Sequence, residues 1–170
     1  MQKFKYFAPS TLNEALKILS ETKGNKKLLG GGTDLIIALK NKQIYPDIVI
    51  DLKSIKELDY IELSNGYIRI GSITTFTDIV ESELVKNKAL VLKESCEEMG
   101  SPQIRNLATI GGNVINASPA ADSVPALIAL DAEVKLESAS GKRVLKVQDI
   151  LNGINKTNLE ESEILTEISF

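Results

Sequence analysis

A run of three glycines stands where the sequence passes from an apolar strand pattern to an apolar helix pattern. This first glycine segment is Gly30-Gly31-Gly32-Thr33-Asp34. Because glycine has no Cβ atom, the backbone N–H groups of such a turn can approach a phosphate, and a following helix favours the negative charge. The segment has neither the lysine of a P-loop nor the spacing of a dinucleotide fingerprint. It predicts an anion cradle, with a plain tight turn at positive φ as the alternative.

A second glycine segment, Thr109-Ile110-Gly111-Gly112-Asn113, is followed by small and hydroxyl residues as far as a lone carboxylate at Asp122. Such a stretch can lie flat against a ligand, with amides and hydroxyls for a pyrophosphate and Asp122 for a ribose diol. Two such segments are better explained by one long diphosphate ligand between them than by two unrelated turns. The second segment is therefore predicted to be a ligand-binding loop.

The chain has no histidine and a single cysteine, Cys96. It cannot build a Ser-His-Asp triad, an internal disulfide, a four-cysteine zinc site or an iron-sulfur cluster of its own. Cys96 lies among apolar residues at helical spacing, which favours a buried structural thiol over a nucleophile. Most hydrolytic mechanisms are excluded on these grounds.

The 170 residues carry a net charge of -3 and no long run of lysine and arginine, so nucleic acid is not an expected partner. No apolar stretch approaches the roughly 18 residues that a membrane span requires. The N-terminal residues lack the features of a signal peptide, so the expected location is the cytoplasm. The length allows one full core or two small lobes, and one site is expected.

The elements around the first glycine segment follow an α/β pattern. Thr11-Leu12-Asn13-Glu14 has the form of a capping box, which predicts a helix from residue 11 to about residue 23. The apolar pattern predicts strands over residues 27–29 and 48–50 and a second helix over residues 35–42. Residues 1–55 are therefore predicted to form a small α/β lobe.

The second half of the chain has an antiparallel pattern. Asn65-Gly66 separates two alternating stretches, which predicts a β-hairpin, and Thr75 begins another helix signal. Further elements are predicted as a helix over residues 90–99 and strands over residues 132–137, 143–147 and 164–170. Residues 56–170 are predicted to form a larger lobe, with the site between the two lobes.

Three segments resemble the FAD-binding subunit, or FAD domain, of the xanthine dehydrogenase and carbon monoxide dehydrogenase family of molybdenum hydroxylases. They are residues 27–35, 70–78 and 101–122, and the resemblance continues in order over essentially the whole chain. It implies an α+β, two-lobed FAD-binding fold of the p-cresol methylhydroxylase and vanillyl-alcohol oxidase type. In that fold FAD lies between a small α/β lobe and a larger antiparallel-rich lobe.

The resemblance also implies which residues contact FAD. It assigns the two glycine segments to the pyrophosphate, Asp122 to a polar part of the adenosine or ribityl chain, and Met99 and Leu165 to the isoalloxazine surroundings. The implied cofactor-binding residues are Leu28, Leu29, Gly30, Gly31, Gly32, Thr33, Asp34, Leu35, Met99, Thr109, Ile110, Gly111, Gly112, Asn113, Ser118, Asp122 and Leu165. No catalytic residue and no metal ligand is assigned, because the chemistry belongs to the cofactor.

The function that the resemblance implies is an electron relay within an oxidoreductase complex. The implied partners are a molybdenum-cofactor subunit, a subunit with [2Fe-2S] clusters, and NAD or another electron acceptor. Gly30 stands where the family usually has alanine, and the family's FAD subunits continue beyond the position of Phe170. The chain is therefore expected to be inactive alone. The alternative is a non-catalytic FAD-binding or assembly module.

Overall fold

The computed structural model describes residues 3–170, and its first sheet is parallel. The elements of this part are β1 (Lys5–Phe7), α1 (Leu12–Glu21), β2 (Lys26–Leu29), α2 (Leu35–Lys40) and β3 (Ile48–Asp51). The strand order is β1-β3-β2, with both pairs parallel. The central strand β3 is buried at every residue, as predicted for a strand covered on both faces. Strand β1 was not predicted from the sequence.

The second sheet is antiparallel and has five strands in the order β4-β5-β8-β6-β7. Its strands are β4 (Ile61–Ser64), β5 (Tyr67–Gly71), β6 (Glu133–Ser138), β7 (Gly141–Lys146) and β8 (Ile164–Ser169). The helices that accompany it are α3 (Phe76–Glu81), α4 (Glu83–Lys88), α5 (Leu90–Glu98), α6 (Pro102–Arg105), α7 (Ile110–Asn116), α8 (Ser123–Ala129) and α9 (Val147–Ile150). The predicted antiparallel pairing is confirmed.

Local signals explain several of these boundaries. Asn65 and Gly66 have φ values of 52° and 86°, as the predicted hairpin turn requires. Thr75 begins α3 with a complete capping box. At α1 only half of the predicted box forms. The Thr11 hydroxyl accepts from the Glu14 N–H at 3.2 Å, whereas the Glu14 carboxylate accepts from the N–H of the preceding serine, Ser10, at 2.9 Å.

Two apolar clusters hold the molecule together. One lies between the five-stranded sheet and its helices, and the other packs α1 against the parallel sheet. The second cluster also contains Leu58, Ile73 and Ile164, which belong to the later part of the chain. The division at residue 55 stays a prediction, since core contacts cross it. No helix within residues 3–170 is both long and apolar enough to cross a bilayer.

The first glycine segment packs directly against the backbone that leads into α7. A Cβ atom on Gly31 would lie 2.1 Å from the carbonyl oxygen of Leu107 and 2.7 Å from the Cα atom of Ala108. The same stretch is bonded to the chain after β5, because the Phe76 N–H donates to the Ala108 carbonyl at 3.1 Å. Because Gly31 has no Cβ atom, the turn after β2 can pack directly against residues 107–108.

An ion pair between the buried Glu163 and the partly exposed Arg143 holds the long loop before β8. Arg143 donates to both carboxylate oxygens of Glu163, at 2.6 and 2.8 Å, and to the carbonyl of Asn158 at 2.8 Å. The Glu160 N–H also donates to the Glu163 carboxylate, at 2.9 Å. The Arg143 guanidinium, together with this N–H, holds the pKa of the Glu163 carboxyl below its ordinary range against the opposing effect of burial.

We predict that Gly31→Ala destabilises the chain by about 1–3 kcal/mol. The added Cβ atom would overlap the backbone carbonyl of Leu107, which can move aside only if the surrounding fold is distorted. Gly112→Ala is the matched control, since a Cβ atom there meets only the Thr109 hydroxyl, at 2.9 Å. Urea unfolding of both variants measures the difference. If Gly31→Ala were as stable as Gly112→Ala, the backbone of Gly31 would not pack so closely against residues 107–108.

We predict that Glu163→Gln lowers the free energy of unfolding at pH 7 by about 1–2 kcal/mol, allowing for the partial exposure of Arg143. The folded pKa lies below the unfolded one, so the stabilisation is complete above the ordinary pKa of 4.5 and is lost as the pH falls below it. The difference in the free energy of unfolding between wild type and variant should decrease as the pH is lowered from 7 to about 3. Glu161→Gln, at an exposed position, is the control. A difference in unfolding free energy that did not change with pH would contradict a lowered pKa of Glu163 in the folded chain.

Candidate functional site

A cleft of about 390 Å³ opens where the two glycine segments face each other. One wall is the first glycine segment and the start of α2, and the other is the start of α7. The residues that follow β5, the start of β8 and the loop before β8 also contribute to the lining. Segments distant in the sequence therefore converge on one concave site, as predicted for a single ligand site.

The first glycine segment offers a row of free backbone donors. Within residues 3–170, the N–H groups of residues 30–35 donate to no acceptor of the protein. Gly32 has a φ of 80°, a conformation that favours glycine, so the tight-turn alternative is also correct for this one residue. Unpaired N–H groups in succession form a concavity that suits an anion. This geometry agrees with the predicted anion cradle.

The second glycine segment is not a loop, and that prediction is wrong. Thr109 is the N-cap of α7, and both glycines lie in the first turn of the helix. The N–H groups of Ile110, Gly111, Gly112 and Asn113 donate to the Thr74 carbonyl, the Ser72 carbonyl, the Thr109 hydroxyl and the Thr109 carbonyl, at 3.1, 2.9, 3.3 and 3.0 Å. The backbone N–H groups of residues 110–113 are therefore already bonded and are not free to donate to a phosphate.

Gly111 is explained by packing. A Cβ atom on Gly111 would lie 2.6 Å from the Ser72 carbonyl oxygen and 2.7 Å from the Ser72 Cβ atom. The Ser72 N–H donates to the Thr166 carbonyl of β8 at 3.1 Å, so Ser72 is held between β8 and α7. Its hydroxyl is buried and has no hydrogen-bond partner among residues 3–170, and the residue lines the cleft. A buried hydroxyl without a hydrogen-bond partner is unusual in a folded protein.

Most of the predicted site residues line the cleft together. They are Leu28, Gly30, Gly31, Gly32, Thr33, Asp34, Leu35, Met99, Thr109, Gly111, Gly112, Asn113 and Leu165. Leu29 and Ile110 are buried behind the wall and do not line it. Ser118 lines a separate hollow of about 340 Å³, and Asp122 is exposed outside the cleft. The FAD contacts themselves stay predictions for all of these residues.

Two stretches that line the cleft contain no residue that was predicted from the sequence to bind the cofactor. Ser72 and Ile73 follow β5, while Asn155 and Leu159 come from the loop held by the Arg143–Glu163 pair. Ile164, next to the predicted Leu165, lies at the start of β8. Residues 70–78 carried part of the family resemblance, so that signal was available for Ser72. The loop residues have no local pattern that distinguishes them.

The cleft contains few ionisable groups. Within the described residues that line it, Lys27 and Asp34 alone carry a charge at neutral pH. Cys96 is fully buried and lies outside the lining, and burial raises the pKa of its thiol to about 12. The predicted structural role of Cys96 is therefore confirmed. The arrangement suits binding and orienting a ligand rather than moving protons.

Comparison with known proteins gives consistent results. The family described as FAD binding domain in molybdopterin dehydrogenase matches residues 2–170. The chain is 42% identical over 172 residues to the nicotinate dehydrogenase FAD-subunit of Eubacterium barkeri, across 99% of this chain and 58% of that protein. It is 34% identical over 166 residues to a xanthine dehydrogenase FAD-binding subunit of Escherichia coli, across 97% of this chain and 56% of that protein.

A solved structure has nearly the same fold. Carbon monoxide dehydrogenase from Hydrogenophaga pseudoflava superposes with a TM-score of 0.95 at 32% identity, across 99% of this chain and 58% of that chain. The present chain thus spans less than two thirds of the length of these relatives. The predicted fold class, the family resemblance and FAD as cofactor are confirmed. The chain belongs to the family of FAD-binding domains of molybdopterin dehydrogenases.

Proposed function

We propose that this chain is the FAD-binding, electron-transfer part of a molybdenum hydroxylase. Bound FAD supplies the redox chemistry, since it accepts electrons and passes them on. The proposed route begins at a molybdenum-cofactor subunit, continues through the [2Fe-2S] clusters of a second subunit, and ends at NAD or another acceptor. The observation that carries the proposal is the row of free N–H groups at residues 30–35. These residues line the cleft, and the chain belongs to an FAD-binding family.

The residues of the cleft fit FAD. The free N–H groups of the first glycine segment and the nearby Lys27 ammonium suit the diphosphate, since hydrogen bonds to charged acceptors are the stronger kind. The unpartnered Ser72 hydroxyl and the Asn113 amide add further polar groups. Met99 and Leu165 supply apolar surface for a flat aromatic ring system. Their role near the isoalloxazine is part of the proposal.

The partners are proposed from the relatives. Two of these are named as the FAD subunits of nicotinate dehydrogenase and xanthine dehydrogenase, so in them FAD binding belongs to one subunit of a larger enzyme. No group of three or more potential metal-ligating side chains occurs within residues 3–170. Electrons from a substrate would therefore reach this chain through a partner. The cytoplasmic location stays a prediction.

A non-catalytic FAD-binding or assembly module is the second candidate. It would use the same cleft and the same cofactor, so FAD binding alone does not separate the two functions. The difference lies in whether the flavin changes its redox state when the partner enzyme turns over.

We predict that the chain binds FAD more tightly than FMN, by about tenfold or more, because a second phosphate adds charge-assisted hydrogen bonds with residues 30–35. Titration followed by flavin fluorescence measures both affinities. Acid extraction of the purified chain and mass analysis identify any flavin that co-purifies. Equal affinity for FMN and FAD would contradict the assignment of the first glycine segment to a diphosphate.

Gly112→Val is the informative variant for this titration. Gly112 lines the cleft, and a Cβ atom on it would have the Thr109 hydroxyl, at 2.9 Å, as its one neighbour within 4 Å among the described residues. FAD affinity should fall further in Gly112→Val than in Gly112→Ala, while the melting temperatures of the ligand-free variants stay close to each other. Gly111 is unsuitable, because a larger residue there collides with the backbone of Ser72 and damages the fold.

We predict that the flavin of this chain is bleached by the enzyme's substrate only when the molybdenum-cofactor and [2Fe-2S] subunits encoded in the same genome are present. The reason is that the proposed relay assigns oxidation of the substrate to the molybdenum-cofactor subunit, and among the described residues that line this cleft only Lys27 and Asp34 could take a proton from a substrate that met the flavin directly. Anaerobic absorbance measurements on the purified mixture and on the chain alone test this. Bleaching without partners would contradict the relay, and no bleaching in the complete mixture would favour the assembly module.

A further inference from the structure

A buried serine outside the cleft is bonded to an amide inside it. The Ser123 hydroxyl donates to the Oδ1 atom of Asn113, with the two oxygen atoms 2.6 Å apart. Ser123 is fully buried at the start of α8 and does not line the cleft, whereas Asn113 lines the cleft from α7. A ligand would therefore touch Asn113 and not Ser123.

The direction of this hydrogen bond follows from the surroundings of Ser123. Within residues 3–170, the Ser123 hydroxyl has no other acceptor, so its proton goes to the Asn113 oxygen. If the amide were turned round, the buried hydroxyl proton would be left without an acceptor, which is costly. The Asn113 oxygen is thus held towards α8.

The consequence for the cleft concerns the other end of the amide. With Oδ1 held by Ser123, the Nδ2 group of Asn113 points away from α8, and its two protons have no acceptor within the described residues. An amide that could turn freely would present its oxygen to the ligand part of the time, and an oxygen repels a phosphate or a carbonyl. An amide held in one orientation always presents donors.

We propose that Ser123 is a positioning residue that fixes the Asn113 amide so that its N–H groups donate to an acceptor of the bound FAD. The inference rests on the proposed FAD binding and extends it to a residue that makes no contact with the ligand. It also changes which residue of the stretch after the second glycine segment is expected to affect FAD binding. The carboxylate of Asp122 was predicted from the sequence to be the ligand group, but the neighbouring Ser123 is the side chain that is connected to the cleft.

A double-mutant cycle on the 170-residue chain tests this, with FAD affinity measured by titration. Ser123→Ala should weaken FAD binding about threefold to tenfold, and Asn113→Ala about tenfold or more. In the Asn113→Ala background, Ser123→Ala should change the affinity by less than about 1.5-fold, because the amide it orients is gone. Ser95→Ala is the matched control, since Ser95 is also a helical serine, its hydroxyl donates to the Leu92 carbonyl, and it lies outside the cleft lining.

A second measurement does not depend on FAD. The side-chain amide signals of Asn113 in the ¹⁵N spectrum of the ligand-free chain are identified by their loss in Asn113→Ala. They should shift in Ser123→Ala and stay in place in Ser95→Ala, while the melting temperatures show that the variants are folded.

The outcomes separate this inference from the proposed function. An equal loss of FAD affinity with and without Asn113, or no loss at all in Ser123→Ala, overturns the positioning role while FAD binding stands. Unmoved Asn113 signals in Ser123→Ala overturn the hydrogen bond itself. A wild-type chain that does not bind FAD overturns the proposed function, and the positioning role falls with it.

Discussion

The approach of Gly31 to the backbone of residues 107–108 is the contact on which the rest of the site depends. It joins the end of β2 to the chain that enters α7, and any Cβ atom there would overlap a carbonyl oxygen. Because the two stretches meet backbone to backbone, the first glycine segment is held opposite α7 with the cleft between them. The same glycine therefore serves both the packing of the fold and the geometry of the site, and ligand binding alone does not account for it.

The two glycine segments are similar in sequence but differ in how their backbone N–H groups are used. The N–H groups of residues 30–35 find no acceptor in the described part of the chain, whereas the first turn of α7 is satisfied by Thr109 and by the carbonyls after β5. A diphosphate would therefore be bound mainly by the first segment. The second segment forms a rigid wall, and what it offers a ligand is the side chain of Asn113. Binding energy from backbone donors is concentrated on one side of the cleft.

The sequence predicted those elements whose signals are local. The Asn65-Gly66 hairpin and the Thr75 helix start depend on turn and cap chemistry within a few residues, and both are present. The second glycine segment was predicted wrongly because two adjacent glycines disfavour a helix, while the carbonyls of Ser72 and Thr74 that stabilise its first turn are distant in sequence. β1 was missed because three residues are too few to show alternation. For the site, the runs of glycine located both glycine segments and the resemblance assigned them to FAD, but the cleft residues in the loop before β8 depend on tertiary contacts.

The walls of the cleft are held by different kinds of interaction, and this matters for a protein whose proposed role is to orient a cofactor. Glycine packing fixes the first segment, backbone hydrogen bonds fix the start of α7, and the Arg143–Glu163 pair fixes the loop that carries Asn155 and Leu159. None of these interactions requires a group that titrates near neutral pH within the cleft. A flavin bound there would be surrounded by fixed dipoles and apolar side chains, which is the kind of environment through which a protein tunes a redox cofactor without taking part in proton transfer.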